Sequence, residues 1–579
     1  MFQDSDVAKW LEAIAYTLAE KPDKELKKLA DSVIELIGRA QEPDGYFNTY
    51  FILKEPGQRF RNLREGHELY TLGHMIEAAV AYKRATGEKR FLEIVQKMAD
   101  LVANTFGVEE GKRMGMPGHQ EIELALMKLY EETGKESYKE LAKYFIDVRG
   151  CGNRNYFLEE MKQKDVKRIF PELNDYRPEY SQSHLPVRKQ RTAEGHAVRA
   201  VYMYAAMADI AAEYDDEELL GACETLWNNM VHRRMYVTGG IGSSGILERF
   251  TADYDLPNDY NYCESCASIG LAFFARRMMQ ITKKAKYVEV MERALYNTVL
   301  AGIAMDGKSF FYVNPLEVWP PSCMERTSKE HVKSVRQKWF GVACCPANIS
   351  RTLASLGEYI YACEKDTIYV NLFIGNETQI TVGEQKVHLS LETDFPWKNQ
   401  FKINVSGVKE SVQLAVRIPE YAQDYKIFCE GREQFYKEKD GYAYITCEKN
   451  GRYEVQFVSE PRFVRANPKV RADEGKVCVM WGPLVYTVEE TDNGENLQAL
   501  YIDTAKPVKK SEKEEFPMLI AAGKRICESG WGEEELYGSH PLEFAETEIT
   551  LVPYAYWGNR ENGEMAVWLK EYLSDRNNK

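Results

Sequence analysis

The apolar residues in the first three fifths of the chain recur at spacings of three and four, the period of a helix with one buried face. These segments come in pairs joined by short polar turns, and such pairs can close into a toroid by burying their inner faces together. The predicted pairs are 7–18 with 26–37, 69–82 with 91–102, 121–130 with 138–146, and two that turn near 215–216 and 283–284. An eleventh helix is predicted over 346–361, whereas a complete (α/α)6 barrel has twelve.

After about Thr367 the apolar period changes to two, which is typical of half-buried strands. A first strand set covers 368–372, 387–391, 401–405 and 412–416, and a second set after Arg462 includes 477–486 and 549–553, with a surface loop predicted at 509–516. The predicted fold class is a multidomain α+β chain in which an (α/α)6 barrel is followed by β-sandwich domains. The predicted boundaries are 1–362, 363–461 and 462–579.

Charge and length restrict the partners of this chain. Among 579 residues, 75 Lys and Arg stand against 89 Asp and Glu, giving a net charge of −14 that repels phosphate backbones and anionic membrane surfaces. The first residues lack a basic start and an apolar core, and no stretch reaches the ~18 apolar residues of a membrane span. We therefore expect a cytoplasmic protein without nucleic-acid or membrane partners, and a homodimer is compatible with the sequence.

Two segments combine turn residues, aromatic rings and cysteines. The connection 237–266 is long for a compact helical domain, and such loops are usually functional or disordered. Its density of aromatic and turn residues argues against disorder. The segment 339–348 carries adjacent Cys344 and Cys345 before Pro346, whose position indicates a helix start with both thiols near its positive end. Both segments are therefore expected to line a site.

Adjacent cysteines have three interpretations at this point. They can be ordinary buried thiols, a vicinal disulfide, which a reducing compartment disfavours, or metal ligands. Glu264, Cys266, Cys344 and Cys345 together would supply one carboxylate and three thiolates, a suitable tetrahedral set for Zn²⁺. The spacing differs from that of a standard zinc knuckle, in which two to four residues separate the cysteines.

Three histidines share one local setting. His67, His119 and His196 each follow a glycine at the start of a predicted helix. One such residue alone is more often a capping or packing histidine than a site residue. Because equivalent ends of inner helices converge on one mouth of a toroid, three of them indicate a common pocket.

At these residues the chain resembles glycoside hydrolase family 127, the bacterial β-L-arabinofuranosidases, along essentially its whole length. The segments that carry the resemblance are GHELY (66–70), GHQEIELALMKLYEETG (118–134), GHAVRAVYMY (195–204), RRMYVTGGIGSS (233–244), DYDLPNDYNYCESCAS (253–268), WFGVACCPANISR (339–351), FVRANPKVRADEGKVCVMWGPLVY (463–486) and LVPYAYWGNRENGEM (551–565).

The resemblance implies retaining, exo-acting hydrolysis that releases L-arabinose from β-L-arabinofuranosides, with bound zinc and a cysteine nucleophile. By position in the matching motifs, Cys344 is the expected nucleophile and Glu248 the expected acid/base. The expected zinc ligands are Glu264, Cys266, Cys344 and Cys345, and the expected sugar contacts are His67, His119, His196 and Tyr312. Relatives usually carry a further N-terminal segment before the part resembling 2–6, and the twelfth helix and any sugar contact it makes are expected there.

Two other functions remain open at this point. Zinc-dependent thiol alkylation or cyclisation also occurs on α/α toroids, but it needs an open zinc position that four protein ligands would not leave. A non-catalytic carbohydrate-binding protein with structural zinc would require neither Glu248 nor the histidines. Release of arabinose from a synthetic β-L-arabinofuranoside distinguishes all three.

Overall fold

Two concentric rings of helices form the N-terminal part of the chain in a computed structural model, which describes residues 1–511, 517–532 and 534–573. The described residues contain eleven helices of ten residues or more. The inner ring consists of α1 (Asp4–Glu20), α3 (Glu68–Thr86), α5 (Ile122–Thr133), α7 (Ala197–Glu213), α9 (Ser265–Thr282) and α11 (Cys344–Ala354). The outer helices are α2 (Lys24–Ala40), α4 (Arg90–Thr105), α6 (Glu136–Val148), α8 (Glu217–Arg233) and α10 (Ala285–Ala294).

Burial separates the two rings. In α3 every residue from Glu68 to Tyr82 is buried, whereas α2 buries only Ala30 and Ile34. Each inner helix contacts the next, and α1 contacts both α3 and α11, so the inner ring closes. The predicted (α/α)6 architecture is therefore confirmed, with six inner and five outer helices among the described residues.

The predicted turns and helix ends agree with the structure in most places. Gly87 and Gly134 end α3 and α5 in left-handed conformations, with φ of 78° and 68°, which glycine adopts without steric cost. The helix predicted over 346–361 is shorter. It begins at Cys344 and ends at Ala354, and a separate short helix, Gly357–Ile360, continues the apolar period.

The middle part of the chain is a sandwich of two sheets, with strands numbered from β1 (Glu317–Val318) in the barrel. One sheet has the order β10-β11-β7-β3-β2, formed by Lys437–Lys439, Tyr442–Cys447, Val412–Arg417, Thr367–Val370 and Tyr361–Glu364. The other has the order β4-β5-β6-β12-β8-β9, formed by Asn376–Val382, Gln385–Thr393, Gln400–Ser406, Gly451–Val458, Gln423–Cys429 and Arg432–Glu433. Alternating residues of both sheets, such as Leu389 of β5 and Leu414 of β7, lie in one buried core.

The last part of the chain is built from a continuous set of paired strands. They are β13 (Arg462–Val464), β14 (Lys476–Trp481), β15 (Leu484–Glu489), β16 (Leu500–Asp503), β17 (Lys509–Lys510), β18 (Leu519–Ile526), β19 (Phe544–Pro553), β20 (Met565–Ala566) and β21 (Leu569–Tyr572). Six of these strands form a sheet that closes on itself. Its order is β15-β19-β18-β16-β21-β14, and β14 also pairs with β15. β1 of the barrel adds to this sheet through β20, so the last unit is anchored to the helical part.

The surface loop predicted at 509–516 is only partly testable, because residues 512–516 lie outside the described residues and Lys509–Lys510 form β17. Other short helices lie at Thr49–Leu53, Tyr156–Glu160 and Glu490–Asn493. None of the helices in the described ranges is long and apolar enough to cross a membrane.

Candidate active site

One end of the barrel opens into a cavity of about 520 Å³. The N-terminal ends of inner helices and the loop before α9 meet there, as the Gly-His pattern predicts. Eight of the nine predicted site residues line this cavity: His67, His119, His196, Glu248, Glu264, Cys266, Tyr312 and Cys344. The ninth, Cys345, lies directly behind Cys344 and is fully buried.

The start of α9 and the start of α11 bring the predicted metal ligands together. Glu264 immediately precedes α9 and Cys266 is the second residue of that helix, while Cys344 and Cys345 are the first two residues of α11. The Sγ atom of Cys266 lies 3.6 Å from that of Cys344 and 3.7 Å from that of Cys345, and the adjacent thiols are 3.8 Å apart. These distances exclude a disulfide bond, for which the sulfur atoms lie about 2.05 Å apart.

The same distances fit a tetrahedral zinc ion. With Zn–S bonds of about 2.3 Å, the edge between two sulfur ligands of a tetrahedron is about 3.8 Å. The Oε1 atom of Glu264 lies 3.2 Å from Cys344 Sγ and 3.8 Å from Cys345 Sγ, close to the edge of about 3.6 Å expected between sulfur and oxygen ligands. The four ligand atoms all lie within 4.8 Å of one another.

The protonation of the four groups supports the same interpretation. Burial would raise the pKa of Cys266, but hydrogen bonds to the two neighbouring thiols lower it to about 6. The hydrogen bond that Cys344 makes to Cys266 raises the pKa of Cys344, and burial raises the pKa values of Cys345 and Glu264. The protein groups thus favour a single ionised ligand, and a divalent cation would supply the charge that lets the others ionise.

Access to the cavity distinguishes the thiols. Cys344 is half-buried and lines the cavity, whereas Cys266 and Cys345 are only 2% and 0% exposed. The hydroxyl of Tyr312 lies 3.0 Å from Cys344 Sγ, so this residue, predicted as a sugar contact, also contacts the thiol. Cys344 is therefore the thiol of the cluster that a molecule in the cavity meets most readily.

Glu248 is held by two hydrogen bonds. Its Oε2 lies 2.6 Å from Nε2 of His196, and its Oε1 accepts a hydrogen bond of 2.7 Å from the hydroxyl of Tyr262. Burial would raise the pKa of this carboxyl, but the bonds to His196 and Tyr262 outweigh burial and leave the pKa below its ordinary value. The carboxylates of Glu248 and Glu264 lie within 4.8 Å of each other, so both face the same part of the cavity.

The backbone that presents Glu248 is strained. Leu247 and Glu248 both have left-handed conformations, with φ of 58° and 53°. Each such residue costs of order 1–3 kcal/mol, and such strain is concentrated at functional sites. The turn thus holds the carboxylate in a position that a relaxed loop would not choose.

The three histidines form a row. The ring centroids of His67 and His119 are 5.6 Å apart, and those of His119 and His196 are 5.4 Å apart. The Nδ1 atoms of His67 and His119 donate to the carbonyl oxygens of Glu65 and Gln120, at 2.6 and 2.9 Å. Burial, reinforced by the charge of Arg199, lowers the pKa of His67 to about 3 and that of His119 well below its ordinary range. Both rings are therefore neutral, and each Nε2 can accept a hydrogen bond from a hydroxyl group.

The site also contains polar residues that were not among the predicted site residues. Tyr70, Tyr180 and Arg199 line the cavity, and Tyr262 binds Glu248. Tyr70 and Arg199 come three residues after His67 and His196, a spacing that shares one helix face and could have revealed them. The sequence carries no such signal for Tyr180 or Tyr262.

This fold and this site define an enzyme with a helical barrel, a cavity lined by histidines and a thiol-rich cluster suited to a metal. Residues 1–358, 367–459 and 461–570 match the catalytic, middle and C-terminal domains of glycoside hydrolase family 127, described as β-L-arabinofuranosidase. The chain belongs to glycoside hydrolase family 127.

Similar proteins agree with that assignment. A non-reducing end β-L-arabinofuranosidase of Bifidobacterium longum subsp. longum is 40% identical over 98% of this chain and 89% of its own length. The crystal structure of a β-L-arabinofuranosidase of the same family from Geobacillus stearothermophilus T6 has a TM-score of 0.95 and 48% identity, covering 99% of this chain and 91% of its own. A β-arabinofuranosidase structure of the family has a TM-score of 0.87 and 36% identity, covering 99% and 88%.

Proposed function

We propose that the protein is a retaining, exo-acting β-L-arabinofuranosidase in which Cys344 is the nucleophile and Glu248 the acid/base. The observation that carries this proposal is the position of Cys344, a half-buried thiol on the cavity wall beside two buried ligands. Family membership favours glycoside hydrolysis over thiol alkylation and over non-catalytic sugar binding. The proposed domain boundaries remain 1–362, 363–461 and 462–579.

We assign Glu264, Cys266, Cys344 and Cys345 as zinc ligands. A bound zinc ion would neutralise the crowded negative charge of these groups and keep Cys344 in its thiolate form at neutral pH. The hydroxyl of Tyr312, 3.0 Å from the sulfur, can donate a hydrogen bond to that thiolate and orient it. The first two residues of α11 also lie at the positive end of a helix, which favours a thiolate further.

In the first step the sulfur of Cys344 attacks the anomeric carbon, a C–S bond forms and the glycosidic C–O bond breaks. Glu248 donates its proton to the departing oxygen. In the second step Glu248 takes a proton from water, the water oxygen bonds to the anomeric carbon and the C–S bond breaks. Two displacements at one carbon retain its configuration.

Glu248 must carry a proton in the first step, although its hydrogen bonds favour the ionised form in the free protein. A sugar that fills the cavity excludes water from the carboxylate, and desolvation raises the pKa of a carboxyl group. Substrate binding therefore supports the acid form of Glu248. The neutral His67 and His119 would accept hydrogen bonds from the sugar hydroxyls at the other end of the histidine row.

The direct test is incubation with methyl β-L-arabinofuranoside and its α anomer as the control. The proposal predicts release of L-arabinose from the β anomer alone, with the β configuration of the first-formed sugar observed by NMR. Release from neither anomer would overturn the assigned activity. An initial α product would overturn the retaining mechanism and leave the substrate assignment standing.

A further inference from the structure

Three of the apolar residues that line the cavity are close in the chain to Glu248 or to Cys344, and they form what we call its first apolar wall. Ile246 and Leu247 precede Glu248 in the strained turn, and Val342 lies two residues before Cys344. All three side chains line the cavity, and Ile246 and Val342 are 78% and 37% exposed. A large aliphatic side chain that is so exposed at the mouth of a cavity leaves apolar surface available to a ligand.

A second apolar wall lies at the opposite end of the histidine row. The ring of Phe2 is 5.4 Å from that of His67 and 6.4 Å from that of Phe170, and Phe170 is 5.9 Å from His67. Between His67 and Glu248 stand the rings of His119 and His196. The row of three histidines therefore separates the second wall from Glu248. Only the first wall contains residues next to this proposed acid/base.

The cavity has more room than one pentose needs. Even at the ~30 Å³ that a separate water molecule occupies in the liquid, which exceeds the volume of a covalently bonded atom, the ten non-hydrogen atoms of an arabinofuranose would fill at most about 300 Å³. The cavity measures about 520 Å³, so space remains for part of a second group. The chemistry of the reaction decides on which side this group lies, because the acid must reach the oxygen of the bond that breaks.

We propose that Ile246, Leu247 and Val342 form the subsite for the leaving group, and that this subsite selects aglycones with an aliphatic face. The inference rests on the proposed function, in which Glu248 protonates the leaving oxygen. The departing alcohol then lies against Ile246 and Leu247, which precede Glu248 in the chain, and against Val342, which lies two residues before Cys344. Phe2 and Phe170 face the far side of the sugar and contact no aglycone.

The test is a series of methyl, butyl and hexyl β-L-arabinofuranosides, whose leaving alcohols have nearly equal basicity. In the parent protein kcat/KM should rise with chain length, by up to about fourfold for each methylene that becomes fully buried. Ile246→Ser and, independently, Val342→Ser should reduce the ratio of the butyl to the methyl rate at least threefold. Both side chains are exposed, so neither substitution removes a core residue.

Phe170→Ser is the matched control, since it removes an apolar side chain from the opposite wall. It should keep the parent's butyl-to-methyl ratio even where its absolute rate falls. Equal rates along the series in the parent would overturn the aglycone subsite and leave the arabinofuranosidase activity intact. If Phe170→Ser lowered the butyl-to-methyl ratio of kcat/KM and Ile246→Ser did not, the aglycone would lie against the wall formed by Phe2 and Phe170. No hydrolysis of any member would overturn both the proposed function and the subsite.

Discussion

The Nε2 atom of His196 lies 2.6 Å from the Oε2 atom of Glu248. Burial lowers the pKa of this histidine, so the neutral ring donates from Nε2, while its Nδ1 accepts from the backbone N–H of Arg199 at 3.5 Å. Together with Tyr262 the ring stabilises the ionised carboxylate. The acid form that starts the reaction is therefore lost as the pH rises through a depressed pKa.

We predict that kcat/KM for methyl β-L-arabinofuranoside falls on the alkaline side of its pH profile and that Tyr262→Phe moves this limb to higher pH. The substitution removes a hydrogen bond to the charged form, worth about 1.5–3 kcal/mol, so the pKa of Glu248 should rise by about one unit or more. The measurement is kcat/KM against pH for both proteins.

Tyr204→Phe is the control for that experiment. Tyr204 is buried like Tyr262 but lies on the inner helix α7, and its hydroxyl has no hydrogen-bond partner within the described ranges. The alkaline limb of the pH profile of Tyr204→Phe should coincide with that of the parent. An identical limb in Tyr262→Phe would mean that Glu248 does not govern the profile.

Zinc content tests the ligand set. We expect close to one zinc per chain in the purified protein and a large loss in Cys266→Ala and Cys345→Ala, since each removes one of three thiolates. Cys223→Ala is the matched control, because Cys223 is fully buried in α8 outside the cluster. Elemental analysis with full zinc in both ligand variants would eliminate the site.

Glu248→Gln tests the acid role. Proton donation contributes about 10²–10⁴-fold to glycoside cleavage, so we expect a loss of that size on the methyl glycoside. An activated aryl β-L-arabinofuranoside needs less protonation and should lose much less in its first step. Glu110→Gln, in an exposed loop, should behave as the parent. Equal losses on both substrates would contradict the assignment.

Much of this site follows from local sequence patterns. The period of three and four identifies the inner helices, and glycine before His67, His119 and His196 marks their shared end of the barrel. Tyr262 could not be predicted as the partner of Glu248, because a strained turn at Leu247 brings them together. The closure of β14 on β15 depends likewise on pairing between distant strands, which no local period encodes.

The barrel also contains a charged core that the sequence does not reveal. Nη1 of Arg351 in α11 lies 2.7 Å from carboxylate oxygens of Glu12 in α1 and Glu77 in α3, and all three side chains are at most 3% exposed. This arginine thus fastens the helix that carries Cys344 to two neighbours in the inner ring. We expect Arg351→Met to destabilise the protein by about 3–5 kcal/mol, because the buried carboxylate of Glu12 loses its ion pair and that of Glu77 keeps only its pair with Lys128.

Arg84→Met is the comparison for that substitution. Arg84 is 49% exposed and pairs with Glu132 where α3 and α5 end. Glu132 also pairs with Lys83, so loss of the half-exposed arginine leaves no unpaired charge and should cost about 0–1 kcal/mol. Thermal unfolding should show a much larger drop in Tm for Arg351→Met. Similar shifts in the two variants would indicate that Arg351 does not hold the inner ring together.

The central claim is that the sulfur of Cys344 bonds to carbon during the reaction. Loss of activity in Cys344→Ser cannot establish this, since a ligand and a nucleophile would both be lost. The decisive measurement is peptide mass analysis after reaction with an electrophilic arabinofuranose analogue that traps a retaining nucleophile. We predict one adduct per chain, on Cys344 and not on the buried Cys345. An adduct on Glu264, whose carboxylate lies within 4.8 Å of that of Glu248, would instead establish a two-carboxylate mechanism and leave Cys344 as a ligand only.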